Sequence, residues 1–203
     1  MCGIIGYTGP RVARNVVVAG LRRMEYRGYD SAGVAVVSDG RIEYRKKAGK
    51  ITNLDAELDD HPIPDTGLGI GHTRWATHGG PTDANAHPHL SAGGRVALIH
   101  NGIIENFAVL RTELEADGVI FASQTDTETA AQLLGREVEA GADLADAMRT
   151  VCGRLEGAFT LVAVDAAEPD RLVAARRNSP LVVGVGEGEN FVASDVAAFI
   201  EFT

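Results

Sequence analysis

Cys2-Gly3-Ile4-Ile5-Gly6-Tyr7, directly after Met1, is the stretch on which the reading of this chain turns. A short apolar run at the very start reads as a buried strand. A cysteine behind the initiator methionine becomes N-terminal if that methionine is removed. Its α-amino group, with an ordinary pKa of about 7.7–8.0, can then serve as base for its own thiol. One residue would supply nucleophile and base together. The competing reading is a small inert hydrophobe at a strand start. Gly3 and Gly6 favour the first, because glycines let other backbone approach a strand closely.

Gly9-Pro10 breaks the run, and a helix follows over 12–24 with Arg22-Arg23 in its last turn, where cations suit the helix dipole. Segments 33–37 and 42–45 are strand-like and flank Ser38-Asp39-Gly40, a hairpin signal. Segments 67–75 and 95–100 read as strands running into polar loops. The middle is helical over 105–116, 126–140 and 143–155, with Asp117-Gly118 as a stop. Strands return at 158–164, 171–175, 181–185 and 191–193. Strands, then helices, then strands predict an α+β fold with two packed sheets instead of alternating βαβ units. No repeat or low-complexity linker divides residues 1–203, which read as one domain.

Of the 203 residues 45% are hydrophobic, enough for a sizeable core. The net charge of −9 argues against nucleic acid and anionic membrane as partners. Arg45-Lys46-Lys47 and Arg176-Arg177 are short and read as solvated faces. Two cysteines make no disulfide framework, and Cys152, inside a helical pattern, reads as core packing. With no cationic leader before an apolar stretch and no long apolar span, the expectation is a cytoplasmic protein.

Polar groups gather where strands end. Arg74, in the loop from Gly71 to Gly80, could grip a carboxylate bidentately with help from Thr77, or could be a surface arginine beside a packed Trp75. His100-Asn101-Gly102 offers an amide and an adjacent N–H for an oxyanion hole, and Asn-Gly is equally an ordinary turn. Thr125-Asp126-Thr127-Glu128 reads as a capping box with Glu128 reaching back, or as Asp126 facing a substrate ammonium. His87-Pro88-His89 finds no third ligand at metal spacing, so no metal is expected. Gly184-x-Gly186-x-Gly188 leads into a strand-like segment and is no dinucleotide fingerprint.

Together with Cys2 to Gly6, several segments carry a resemblance: Leu21 to Gly33 with its Glu25-Tyr26-Arg27-Gly28-Tyr29-Asp30, His72-Thr73-Arg74-Trp75-Ala76-Thr77-His78-Gly79, Asn85 to His89, His100 to Asn106, and Thr125 to Glu128. They span almost the whole chain, and the chain resembles the glutaminase (class II glutamine amidotransferase) domains of the glucosamine-6-phosphate synthase family. That resemblance implies an N-terminal-nucleophile hydrolase fold, a four-layer αββα sandwich, acting on L-glutamine without a cofactor. It makes Cys2 the nucleophile and Asn101 with the Gly102 N–H the oxyanion hole. Arg74, Trp75, Thr77 and His78 become the loop that takes glutamine's α-carboxylate. Asp126 takes the α-ammonium, and Arg27 and Gly28 wall the site. It further implies a homodimeric full-length enzyme, in which sugar-isomerase domains not contained in this chain use fructose 6-phosphate. The glutaminase domain itself is expected to stop short of its last strands at Thr203. Another class II amidotransferase, or a non-catalytic relic of the fold, are the competing readings.

Overall fold

The computed structural model describes residues 2–202. Met1, whose removal is expected, and the expected early end at Thr203 lie outside the described residues. The chain runs β1 (Gly3–Thr8), α1 (Ala13–Arg23), β2 (Ser31–Ser38), β3 (Arg41–Ala48), α2 (Ile51–Asp60), β4 (Leu68–Arg74), β5 (His89–Leu90) and β6 (Val96–Ile104). It continues with α3 (Phe107–Ala116), α4 (Asp126–Glu139), α5 (Leu144–Arg154), β7 (Gly157–Asp165), β8 (Leu172–Arg177), β9 (Val182–Val185) and β10 (Asn190–Ala193).

Strand alternation builds the layers. In β1, Ile5 and Tyr7 point to one face and Ile4 to the other, the two-residue period of a pleated strand. Ile5 and Tyr7 pack with Val17 and Leu21 of α1 and Leu54 of α2. Ile4 joins Ile70 of β4, Ile99 of β6 and Val162 of β7 in a second core. On the far face of β6 and β7, Leu98 and Leu161 pack with Leu114, Leu134 and Val151 of the three later helices. Three cores therefore separate four layers: α1 and α2, a six-stranded sheet, a four-stranded sheet, and α3 to α5. The sheets run β3-β2-β4-β1-β10-β9 and β5-β6-β7-β8, antiparallel throughout. This is the αββα sandwich. Central strands buried on both faces explain why β1 reads as an unbroken apolar run. Fully burying one such aliphatic side chain is worth about 1.5–3 kcal/mol.

Several expectations need correction. Helix α2 has little signal in the sequence; its apolar face is only Ile51, Leu54 and Leu58, and Lys50 gives it no side-chain cap. Strand β6 does not end at His100. Its ladder with β7 continues through Asn101↔Thr160 and Gly102↔Phe159 to Ile104↔Gly157, so Asn101-Gly102 is no turn. Helix α3 starts at Phe107 and not at Glu105. Gly3 and Gly6 make room for side chains and not for backbone: a Cβ would meet Thr73 Oγ1 at 2.7 Å and Val192 Cγ2 at 2.8 Å. The β2–β3 hairpin turns at Asp39-Gly40, both at positive φ, as the Ser-Asp-Gly signal predicts.

The basic clusters are not simply solvated. Lys46 Nζ donates to the carbonyls of Ala84, Ala86 and Pro88 at 3.2, 2.8 and 3.2 Å, and burial lowers its pKa to about 8. Arg177, though exposed, donates to the carbonyls of Leu155 and Cys152 at the end of α5. Cys152 is half-buried against the helical core. No helix among the described residues is long and apolar enough to cross a membrane.

Candidate active site

The two-residue period brings three polar groups to one place. In β4, Leu68 and Ile70 face the other sheet, and His72 follows on the same side. In β6, Ala97 and Ile99 face the first sheet, and Asn101 follows. Cys2 continues the Ile4 side of β1. The three meet at one end of the inter-sheet core. Asn101 Nδ2 donates to the Cys2 carbonyl at 3.0 Å, and Asn101 Oδ1 lies 2.8 Å from His72 Nε2. A cavity of about 510 Å³ opens here, with Cys2, Arg74, Asn101, Gly102 and Asp126 among its walls.

The Cys2 thiol accepts the Trp75 N–H at 3.1 Å. Burial pushes its pKa up, and the Trp75 hydrogen bond offsets part of that rise. The carboxylate of Asp30 shapes the loop beside the thiol. It accepts the Ala76 N–H at 2.5 Å, while the Asp30 N–H donates to the Arg74 carbonyl at 2.7 Å. Trp75 itself is 57% exposed, so it is not a core plug. Gly28 lies beneath its ring, where a Cβ would stand 3.3 Å from Cζ3. Arg27 donates to Ser194 Oγ at 2.9 Å, and that hydroxyl also accepts the Ile4 N–H at 3.0 Å. Arg27 is thus tied to the strand that Cys2 leads.

Gly102 sits at φ 122°, and a Cβ there would lie 2.1 Å from the Ala158 carbonyl oxygen. Only glycine fits a backbone that both turns to positive φ and presses on the next strand.

Arg74 is buried, and its guanidinium donates to the carbonyls of His78, Gly79 and Gly80. It is neither a surface arginine nor turned wholly to the cavity; it holds the loop that follows β4. Thr77 is on the cavity wall, whereas His78 stands behind it, with Nδ1 3.9 Å from Asp126 Oδ2 and its ring edge-on to Phe107.

Asp126 is buried in the first turn of α4 and lines the cavity; its Oδ2 accepts the Ile104 N–H at 2.9 Å. Thr125 caps the helix by accepting the Glu128 N–H at 3.2 Å. Glu128 reaches back, but past the cap, to the N–H groups of Ala122 and Ser123 at 2.8 and 2.6 Å. Capping and a cavity-lining carboxylate therefore coexist on neighbouring residues.

Beyond the expected residues, the cavity contains His72, His87 and His100. His72 stacks on His87 with centroids 4.2 Å apart, and His100 Nδ1 is 2.9 Å from Thr127 Oγ1. Burial lowers the pKa of each, that of His72 to about 3, so all are neutral imidazoles. For His72 and His100 the signal was in the sequence, since each is a polar residue at an apolar strand position. Gly33 admits the His87 segment, since a Cβ there would fall 2.1 Å from the His87 carbonyl oxygen.

An αββα sandwich whose central strand is led by a cysteine, with a cavity at that strand's start, defines the N-terminal-nucleophile class of amidohydrolase folds. Residues 72–201 match the glutamine amidotransferase domain family, and the chain belongs to it. Across its whole length it is 70% identical to the glutamine–fructose-6-phosphate aminotransferase (isomerizing) of Streptomyces coelicolor and 62% to that of Corynebacterium diphtheriae. It spans 33% and 34% of those proteins, about a third of their length. Among solved structures, the glutamine phosphoribosylpyrophosphate amidotransferase of B. subtilis superposes with a TM-score of 0.82 at 28% identity, over 98% of this chain and 43% of that one.

Proposed function

We propose that this chain hydrolyses L-glutamine to glutamate and ammonia through a thioester on Cys2, and that the ammonia aminates fructose 6-phosphate in the whole protein. The observation that carries the reading is the meeting of the Cys2 thiol, the Asn101 amide and the buried Asp126 carboxylate around one cavity. The sugar phosphate comes from the name of the 70% identical relative. Fructose 6-phosphate would be handled by parts of the protein outside this chain, as would the contacts of a homodimer. Two cysteines without a disulfide suit a cytoplasmic setting.

With Met1 removed, the α-amine of Cys2 takes the thiol proton as sulfur attacks glutamine's side-chain carbonyl carbon. The carbonyl oxygen becomes an oxyanion, for which Asn101 Nδ2–H and the Gly102 N–H are the donors. Collapse returns the amine's proton to the leaving nitrogen, and ammonia departs. Water, deprotonated by the same amine, then attacks the thioester, and glutamate leaves as the thiol regains its proton. Asp126 faces the α-ammonium. The loop of Trp75, Thr77 and His78, held by Arg74, receives the α-carboxylate, and Arg27 with Gly28 closes the wall beside Cys2.

The test is glutamate release from L-glutamine by the intact protein. Cys2→Ala is expected to abolish it with little change in melting temperature, since only a small group is lost at an open site. Cys152→Ala is expected to retain it. A folded but inactive Cys152→Ala beside an active Cys2→Ala would reverse the assignment of the nucleophile.

A further inference from the structure

We propose that His72 is a positioning residue that sets which way round the Asn101 amide lies. This rests on the oxyanion role given to Asn101 above. An asparagine amide is nearly symmetric in shape, so its partners decide where oxygen and nitrogen go. Asn101 Oδ1, which can only accept, lies 2.8 Å from His72 Nε2, so that nitrogen carries the hydrogen. Asn101 Nδ2 then faces Cys2, donating to its carbonyl at 3.0 Å, with a second N–H left on the same nitrogen. Turning the amide over would set NH2 against the His72 N–H and oxygen against the Cys2 carbonyl. Both hydrogen bonds would become repulsive, and the donor beside the nucleophile would be replaced by an acceptor.

His72 is built to keep this role. It is fully buried, paired across β1 with Ile4 and across β2 with Gly33, and its ring stacks on His87 at 4.2 Å. Burial keeps the ring neutral, and a neutral ring carries one N–H. The Lys46 ammonium, bonded to the carbonyls of Ala86 and Pro88, holds the His87 segment against it.

Glutamine and methionine have similar length and shape, but only glutamine donates a hydrogen bond. In the intact protein, Asn101→Ala is expected to lower kcat roughly 10²–10³-fold, the usual effect of losing one oxyanion donor. His72→Met should lower kcat by about 10²-fold and leave KM within roughly threefold. His72→Gln should recover all but about tenfold of that loss. Added to Asn101→Ala, His72→Met should cost no more than about threefold further, because the group it orients is gone. Nitrogen NMR of the wild-type protein should find His72 protonated at Nε2, a reading that needs no variant to fold. Equal kcat in the Gln and Met variants beside a full Asn101→Ala loss, or the hydrogen on Nδ1, overturns the inference alone. Wild-type kcat in Asn101→Ala overturns the oxyanion role and this inference with it.

Discussion

Facing a substrate ammonium, as proposed for Asp126, and binding backbone, as Arg74 does, are different demands on two side chains that line one cavity. Asp126 is suited to the first as a buried carboxylate in the first turn of α4, where the dipole favours negative charge. Arg74 meets the second by donating to three consecutive loop carbonyls. Neutralising Asp126 should therefore affect substrate recognition more directly than changing Arg74, which would also release the loop. Asp126→Asn is expected to raise KM for glutamine by roughly 10- to 150-fold, the equivalent of about 1.5–3 kcal/mol for a charge-assisted hydrogen bond. A glutamine analogue lacking the α-amine should be indifferent to the change. Equal loss for both ligands, measured by competitive inhibition, would mean that Asp126 serves the helix and the Ile104 N–H only. Cys2 and Asn101 were legible as candidates because each is a polar group continuing an apolar strand run, and Asp126 because it opens a helix behind a capping threonine. His72 was not singled out, because its partner Asn101 lies 29 positions away and in the other sheet.

At the scale of elements, Lys46 shows where local reading stops. A run of Arg45-Lys46-Lys47 on an edge strand reads as solvated, yet the middle ammonium is bound by three carbonyls of a loop that crosses the sheet. Nothing in the run announces this; the signal is Gly33, which leaves space for that loop. Lys46→Met is expected to cost about 1–3 kcal/mol, because it leaves the buried carbonyls of Ala86 and Pro88 without a donor. The desolvation that lowers the ammonium's pKa to about 8 keeps the loss from being larger. Urea unfolding should show a lower midpoint at an unchanged slope. An unmoved midpoint would return Lys46 to the solvated class. The doubly buried strands, by contrast, declared themselves as unbroken apolar runs, and the Asp39-Gly40 turn by its composition. Helix α2 did not, because three apolar positions among polar ones make a weak stripe, and its start has no side-chain cap.

For the molecule as a whole, the four layers explain the site and predict an acid sensitivity. The packed layers bury His72, His87, His89 and His100, and burial lowers the pKa of each. Their folded pKa values lie below the unfolded value of about 6.5, so below that pH the unfolded chain binds more protons than the folded one. Stability is fully present above pH 6.5 and is lost as pH falls toward the folded values, by at most about 1.4 kcal/mol per pH unit for each such imidazole. Melting temperature should therefore drop steeply between about pH 6.5 and 5. A flat profile would mean that these rings find protons or partners without unfolding.

The central claim is that one residue, Cys2, carries both the thiol and the amine of the reaction. It is tested most directly by quenching the intact protein with acid during turnover of L-glutamine and mapping the covalent adduct by peptide mass. A glutamyl thioester is expected on a peptide that begins at Cys2, with the Cys152 peptide unmodified. Active protein that retains Met1 throughout, or an adduct on Cys152 alone, would contradict it.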